Sequence, residues 1–228
     1  MKAAEVSLLE FFKQPLQMII PNPERRYHWE EKQCRRLWND IVQVAKNELV
    51  TSHFIGTIVY VEYGILRRTS VPRLILLDGQ QRLITISLLL AALAKADNSA
   101  GQASIKHKEI NDLFLFNGQE RGEFYCKLIP AQGDRDTFFG LINNEELTSS
   151  DSSRLMKNYR YFEDKINECG IDTDLVYKGI AKLTIMDVST DRMYENPQSV
   201  YKRLKSTGLD ESQTKLIYRW LDFLRSAS

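Results

Sequence analysis

The chain has 228 residues, 43% apolar and 27% charged, with 31 Lys and Arg against 30 Asp and Glu and a net charge of +1. This is globular composition for one large domain or two small ones; it excludes a fibre, a disordered tail and a uniformly basic nucleic-acid binder, so any nucleic-acid contact must use a local patch. The longest apolar run, Leu83 to Ala94, is shorter than the roughly 20 residues of a membrane span, Glu5 and Glu10 break any signal peptide, and the separated Cys34, Cys126 and Cys169 fit reduced thiols of a cytoplasmic protein.

In chain order, residues 5–14 read as a short helix with Val6, Leu9 and Phe12 on one side, and Pro15 to Pro23 as extended chain. Cys34, Leu37, Trp38, Ile41, Val42, Ala45 and Leu49 recur at spacings of three and four, which predicts an amphipathic helix over 29–49. His53 to Tyr63 is rich in Ile, Val, Thr and Tyr and reads as a strand. Arg73 to Leu77 is a second strand, short, apolar and hence central. Leu83 to Lys95 comes next as a helix apolar on nearly every side, which implies deep burial, and 97–102 reads as a loop. The Asn117-Gly118 pair suggests a hairpin within 110–130; helices are expected over 134–145 and 152–169, and a strand over 182–188. Asn196-Pro197 reads as a helix start, and Asp210 with Gln213 as a capping box for a last helix to about Arg225. Few strands and many helices predict an α+β fold, a small sheet buttressed by a helical part.

The segment Leu74 to Arg82 runs strand, polar turn, helix start. A helix start offers unpartnered N–H groups and partial positive charge, which suit an anion. Gly79 allows close approach of backbone, Arg82 can grip phosphate through two hydrogen bonds, Asp78 can hold a magnesium ion, and Gln80 and Gln81 can position phosphate or an attacking water. The same string also reads as an ordinary Asp-Gly turn before an unspecialised polar first turn. It is neither a Walker P-loop nor a dinucleotide fingerprint, because the glycines and the Lys-Ser or Lys-Thr pair are missing.

The string Asp78-Gly79-Gln80-Gln81-Arg82-Leu83, between an Ile/Leu strand and a Leu-rich helix, resembles the signature of the GmrSD-type DGQQR-motif family. Ile20-Pro21, Arg25, Tyr27, Trp29 and Gln33 resemble its Ile-Pro…Gln-Arg-x-Tyr-x-Trp box, and His53 to Val59 its Phe-Leu-Gly-Ser-Ile strand. Asp134-Arg135 with Phe138 resembles a downstream Asp-Arg…Phe element. Asn196-Pro197-Gln198, then Leu204 and Ser206-Thr207-Gly208-Leu209, resemble an Asn-Pro-Gln…Leu-Asn-Ser-Thr-Gly box. The boxes run in order from about residue 14 to 221. Departures fall at Pro23, Glu24, Lys205 and Lys215 to Arg219; with the turn itself intact, phosphate binding is the safer expectation and hydrolysis the less safe.

The resemblance implies a ParB/sulfiredoxin-like core, a small mixed sheet with a surrounding and C-terminal helical part, with residues 1–105 as a nucleotide-binding sheet core and 106–228 as a mainly helical extension completing one module. It implies a nucleoside triphosphate (NTP) and Mg2+ as cofactors, and a module that binds and hydrolyses nucleotide in bacterial restriction or phage defence. The site residues it implies are Asp78, Gln80, Gln81 and Arg82 for chemistry, Asp78 for the metal, and Gly79, Arg25, Tyr27, Gln198, Ser206 and Thr207 for the nucleotide. Implied partners are nucleotide, DNA that includes modified DNA, and a nuclease subunit, with no membrane. A nuclease site is not visible: His28, His53 and His107 are scattered, and the boxes leave no room for an appended nuclease in this chain. The alternative is a non-catalytic DNA-binding, regulatory or interaction module with a degenerate nucleotide pocket. Residues 24–36 and 202–219 are basic clusters that fit either phosphate contact or a solvated face, with Trp29 expected in the core and Tyr27 or Trp29 open to base stacking.

Overall fold

Period-two and period-3.6 apolar patterns sort this chain into a sheet and a helical layer. The computed structural model describes residues 2–21, 26–63, 71–100, 107–145, 152–168 and 172–190. The Asn196-Pro197 helix start and the capped last helix lie outside them, as do Arg25, Gln198, Ser206 and Thr207.

One mixed sheet contains β1 (Lys2–Ser7), β2 (Gln17–Ile19), β3 (His53–Tyr63), β4 (Arg73–Asp78), β5 (Leu128–Ile129) and β6 (Leu183–Thr190), in the order β1-β6-β3-β4-β2-β5. β3 runs antiparallel to β4 and parallel to β6; β2 is parallel to both β4 and β5, and β1 antiparallel to β6. β4 is internal, as its apolar run predicted. Strands from before and after residue 105 therefore share one sheet. Among the described residues its edges are β1, mostly exposed and carrying Lys2 and Glu5, and β5, two residues long; charge and brevity both discourage pairing with another chain.

The helices are α1 (Leu8–Lys13), α2 (Glu31–Lys46), α3 (Gln80–Ala100), α4 (His107–Ile110), α5 (Arg135–Ile142), α6 (Arg154–Asn167) and α7 (Thr173–Ala181). The α+β reading holds. α2 is closed at its start by a reciprocal capping box between Glu30 and Gln33. Every residue from Leu83 to Ala94 in α3 is buried. Its apolar faces meet α4, α5, α6, α7 and a π-helical segment, Asn111–Leu115, so α3 is the axis of the helical layer.

Four expectations change. The helix predicted over 29–49 spans Glu31–Lys46, because the backbone turns extended at Asn47, and Leu49, expected on its apolar side, lies beyond it and is exposed. The helix predicted over 5–14 begins at Leu8, because residues 2–7 pair with β6 and Ser7 caps the start of α1; tertiary pairing overrides weak local preference there. Residues 97–100, expected in a loop, continue α3. The hairpin over 110–130 reduces to one antiparallel bridge, Phe116 with Cys126. The buried Asn117 takes over the holding: its Nδ2 donates to the carbonyls of Leu16 at 3.2 Å and Phe124 at 2.9 Å.

The packing can be tested at two positions. A methyl group on Gly179 of α7 would stand 2.4 Å from the Ile41 carbonyl oxygen of α2. Alanine gains up to about 1 kcal/mol over glycine inside a helix, but an immovable backbone clash costs about 1–3 kcal/mol. Gly179→Ala is therefore expected to lower the urea midpoint, and an unchanged or higher midpoint would refute the close α2–α7 packing. The second position is Lys127, 3% exposed, whose Nζ donates to the Gln14 carbonyl at 2.6 Å. Burial lowers its pKa from 10.5 to about 8. Between those values the unfolded state binds the extra proton, so stability rises with pH. From pH 8 to 10.5, wild type should gain stability relative to Lys127→Met in urea titrations; a constant difference would count against the buried amine.

Candidate functional site

The site grows from the junction of β4 and α3. Gly79 stands between Asp78 and Gln80 with φ of +90°, a conformation that L side chains avoid. A Cβ there would lie 2.3 Å from Ile58 Cδ1 and 3.0 Å from the Thr57 carbonyl oxygen of β3. The Gly79 carbonyl accepts from Leu83 N at 3.0 Å, which opens the α3 ladder. The first N–H groups of the helix have no acceptor within it, and the helix dipole places positive charge there.

Arg82 turns back from this first turn onto β3. Its Nη1 donates to the Thr57 carbonyl at 2.9 Å. Its guanidinium rests on Gly56, where a Cβ would come within 2.8 Å of Cζ and Nη2. Gly56 has φ of +117° and sits where the β3–β6 register shifts between Phe54 and Thr57, so a strand irregularity makes the cradle. Burial pulls the Arg82 pKa down, while the nearby Asp78 charge acts the other way. Among the described residues only the Thr57 carbonyl accepts from Arg82, which leaves Nε and Nη2 with donor capacity. Gln80 Oε1 is a buried acceptor with no donor among the described residues.

Gln81 faces inward, 8% exposed, toward the loop of residues 26–29. Its Oε1 accepts from His28 N at 2.9 Å and Trp29 N at 3.3 Å, and its Nε2 donates to the Arg26 carbonyl at 3.1 Å. Asp134 Oδ2 accepts from Tyr27 N at 2.6 Å. Tyr27 is 5% exposed; its hydroxyl lies 2.7 Å from Thr85 Oγ1 and accepts from Asn158 Nδ2 at 2.9 Å. Burial drives the Tyr27 pKa well up, so the ring is a neutral phenol. Asn158 Nδ2 also donates to the Trp29 carbonyl at 2.9 Å. Arg26 is exposed, with its guanidinium over Gly133.

The structure thus brings Asp78, Gly79, Gln80 and Arg82 together at the turn. Gln81, expected beside phosphate or water, has its amide engaged by the loop. Tyr27, expected near a base, is interior. Trp29 packs against the core, as expected. Arg35 of the basic stretch pairs with Glu31 one turn away, which is the solvated-face reading of that residue. The sequence reading gave no site role to Gly56, Thr57, Thr85 or Asn158; Gly56 and Thr57 lay within the His53 to Val59 box, and a glycine inside a β-branched strand was a further signal for the first. A surface cleft lined by Asp40, Gln43, Val44, Asn47, Val50 and His53 contains none of these residues.

Gly79→Ala tests the junction. It should cost about 1–3 kcal/mol through strain at positive φ and contact with β3. Chemical denaturation reads this directly, and a variant as stable as wild type would disprove the tight β3–α3 approach.

Among the described residues, no helix is long and apolar enough to cross a membrane, and no group of three or more His, Cys, Asp or Glu is placed to hold a metal ion. No curated protein matches the chain. A family model described as GmrSD restriction endonuclease, N-terminal domain, matches residues 8–221. With nearly the whole chain covered, and the DGQQR turn at the sheet–helix junction, the protein belongs to the GmrSD N-terminal domain family.

Proposed function

We propose that the chain binds a nucleoside triphosphate with Mg2+ at the 78–82 turn and hydrolyses it, as the nucleotide-using domain of a restriction or phage-defence system. The observation that carries this reading is Arg82, held by Thr57 and Gly56 beside the start of α3, with Nε and Nη2 taken by no acceptor among the described residues. Preorganised donors at a helix start suit the oxygens of a phosphate chain and the charge that develops on them during transfer. Gly79 lets the turn lie close against β3, which sets the start of α3 beside Arg82. Gln80, whose buried Oε1 has no donor among the described residues, would orient the attacking water with its amide turned outward.

The donor set suits magnesium in one way. Mg2+ is commonly held by one or two carboxylates together with phosphates and waters. Asp78 would supply the carboxylate, and the ion would contribute charge neutralisation along the phosphates. Arg25, Gln198, Ser206 and Thr207 join the nucleotide side of the proposal on the family resemblance. Gln81 and Tyr27 act one step back, by holding the 26–29 loop.

A second reading is favoured by the same geometry. With Gln81 and Tyr27 engaged inside the protein, the turn has few groups left for hydrolysis, which suits a regulatory or DNA-binding module that binds nucleotide without turnover. Gel shifts with and without nucleotide, on modified and unmodified DNA at two salt concentrations, separate it from an NTPase.

The test begins with a thermal-shift panel of the four NTPs with Mg2+, since a ligand specific for the folded state raises its apparent stability. Arg82→Ala should then weaken binding about 10- to 100-fold, as expected for losing charge-assisted hydrogen bonds worth ~1.5–3 kcal/mol. Unchanged affinity by calorimetry would overturn the assignment of Arg82. Phosphate release should require divalent metal and fall in Asp78→Ala; equal, metal-independent release in both proteins would defeat the hydrolytic reading.

A further inference from the structure

We propose that Asn158 of α6 is a positioning residue of the candidate site, setting the 26–29 loop against the first turn of α3. Its functional half rests on the nucleotide reading above.

The 26–29 loop has no ladder to hold it, yet its backbone polar groups are bound by side chains. Gln81 takes Arg26 O, His28 N and Trp29 N; Asp134 takes Tyr27 N; Asn158 takes Trp29 O. Side chains from elsewhere in the fold therefore decide where this loop sits. The directions of the remaining bonds come from the chemistry. Thr85 has one hydroxyl proton, and it donates it to the Gln81 carbonyl at 2.8 Å, because a carbonyl can only accept. Tyr27 Oη lies 2.7 Å from Thr85 Oγ1 and 3.7 Å from Cys34 Sγ; with the threonine proton on the Gln81 carbonyl, the tyrosine proton goes to Thr85, the shorter of its two contacts. The tyrosine oxygen in turn accepts from Asn158 Nδ2. The amide orientation of Asn158 is settled too, since its nitrogen also faces the Trp29 carbonyl.

A directed chain results: Asn158 to Tyr27 to Thr85 to the backbone carbonyl of Gln81, within the DGQQR turn. Asn158 also closes the circuit at Trp29, and it is 2% exposed. One amide nitrogen with two protons meets two acceptors, a fit that leucine cannot reproduce and that aspartate, with only acceptors, would oppose. α6 is thereby coupled to both the loop and the turn.

The experiment is amide deuterium exchange on the full chain, with calorimetric titration of the magnesium complexes of ATP, GTP, CTP and UTP. The variants are Asn158→Leu, Thr85→Val and, as a control, Glu163→Gln, which removes the 2.7 Å ion pair with Lys95 between the same two helices. Exchange at residues 27–29 should rise at least tenfold in Asn158→Leu and Thr85→Val, with the interior of α3 unchanged. Affinity for the nucleotide that wild type binds should fall at least fivefold, and Glu163→Gln should do neither. Unaltered exchange at 27–29 overturns the proposal whatever the nucleotide result, and so does the same change in Glu163→Gln. Faster exchange with full affinity also overturns it, because the loop would then be structural alone. If wild type binds none of the four nucleotides while loop exchange still rises, the nucleotide reading falls and the positioning of the loop by Asn158 stands. Should Asn158→Leu fail to fold, Thr85→Val cuts the same chain in a near-isosteric substitution and decides alone.

Discussion

A helix buried on every side must still begin with polar groups, and those groups must be satisfied. α3 is apolar and buried from Leu83 to Ala94, but Thr85 and Ser87 lie within that stretch and Gln81 and Arg82 lie just before it. An unpartnered buried donor or acceptor costs about 1–3 kcal/mol, comparable with what burying one leucine contributes. Much of the structure near this end of the helix answers that demand. Thr57 of β3 accepts from Arg82, the 26–29 loop occupies Gln81, and Tyr27 donates to Thr85.

Two glycines make the answer possible. Gly79 lets the chain turn from β4 into α3 with β3 alongside, and Gly56 lets the guanidinium lie flat on that strand. Each uses a backbone conformation closed to most residues, and each removes a methyl group that would collide. The result is a charged group held before any ligand arrives, so little is lost in ordering it on binding. A flexible surface arginine would carry the same charge without that preorganisation.

Family membership and geometry address different questions. The GmrSD N-terminal match ties the chain to restriction endonucleases. The geometry divides the DGQQR string into two jobs. Asp78, Gly79, Gln80 and Arg82 belong to the turn and its approach, while Gln81 belongs to the interior and braces the loop. Net charge, at +1, says nothing of this division. What distinguishes Arg82 from Arg35 is whether a neighbouring carboxylate or a backbone carbonyl holds it.

Read alone, the sequence determined the elements whose signal is local. β3 and β4 carry β-branched and apolar runs, α2 a helical stripe, α3 an apolar surface without a polar face, and each formed over the body of its pattern, although α2 stops short of Leu49 and α3 runs on through residues 97–100. It also marked the 78–82 turn, because a strand, an Asp-Gly break and a helix start are adjacent in the chain. The tertiary structure decided what depends on contacts far apart in sequence. β1 is a strand because β6 offers it a ladder, although its own residues favour none. Tyr27, Thr85 and Asn158 meet from separate elements, and their spacing along the chain carries no trace of it. Gly56 stood in the sequence as part of a strand box, and only the fold lays Arg82 on it. Hydrophobic periodicity is written along the chain, whereas the satisfaction of buried polar groups is written across it, and only folding shows which donor meets which acceptor.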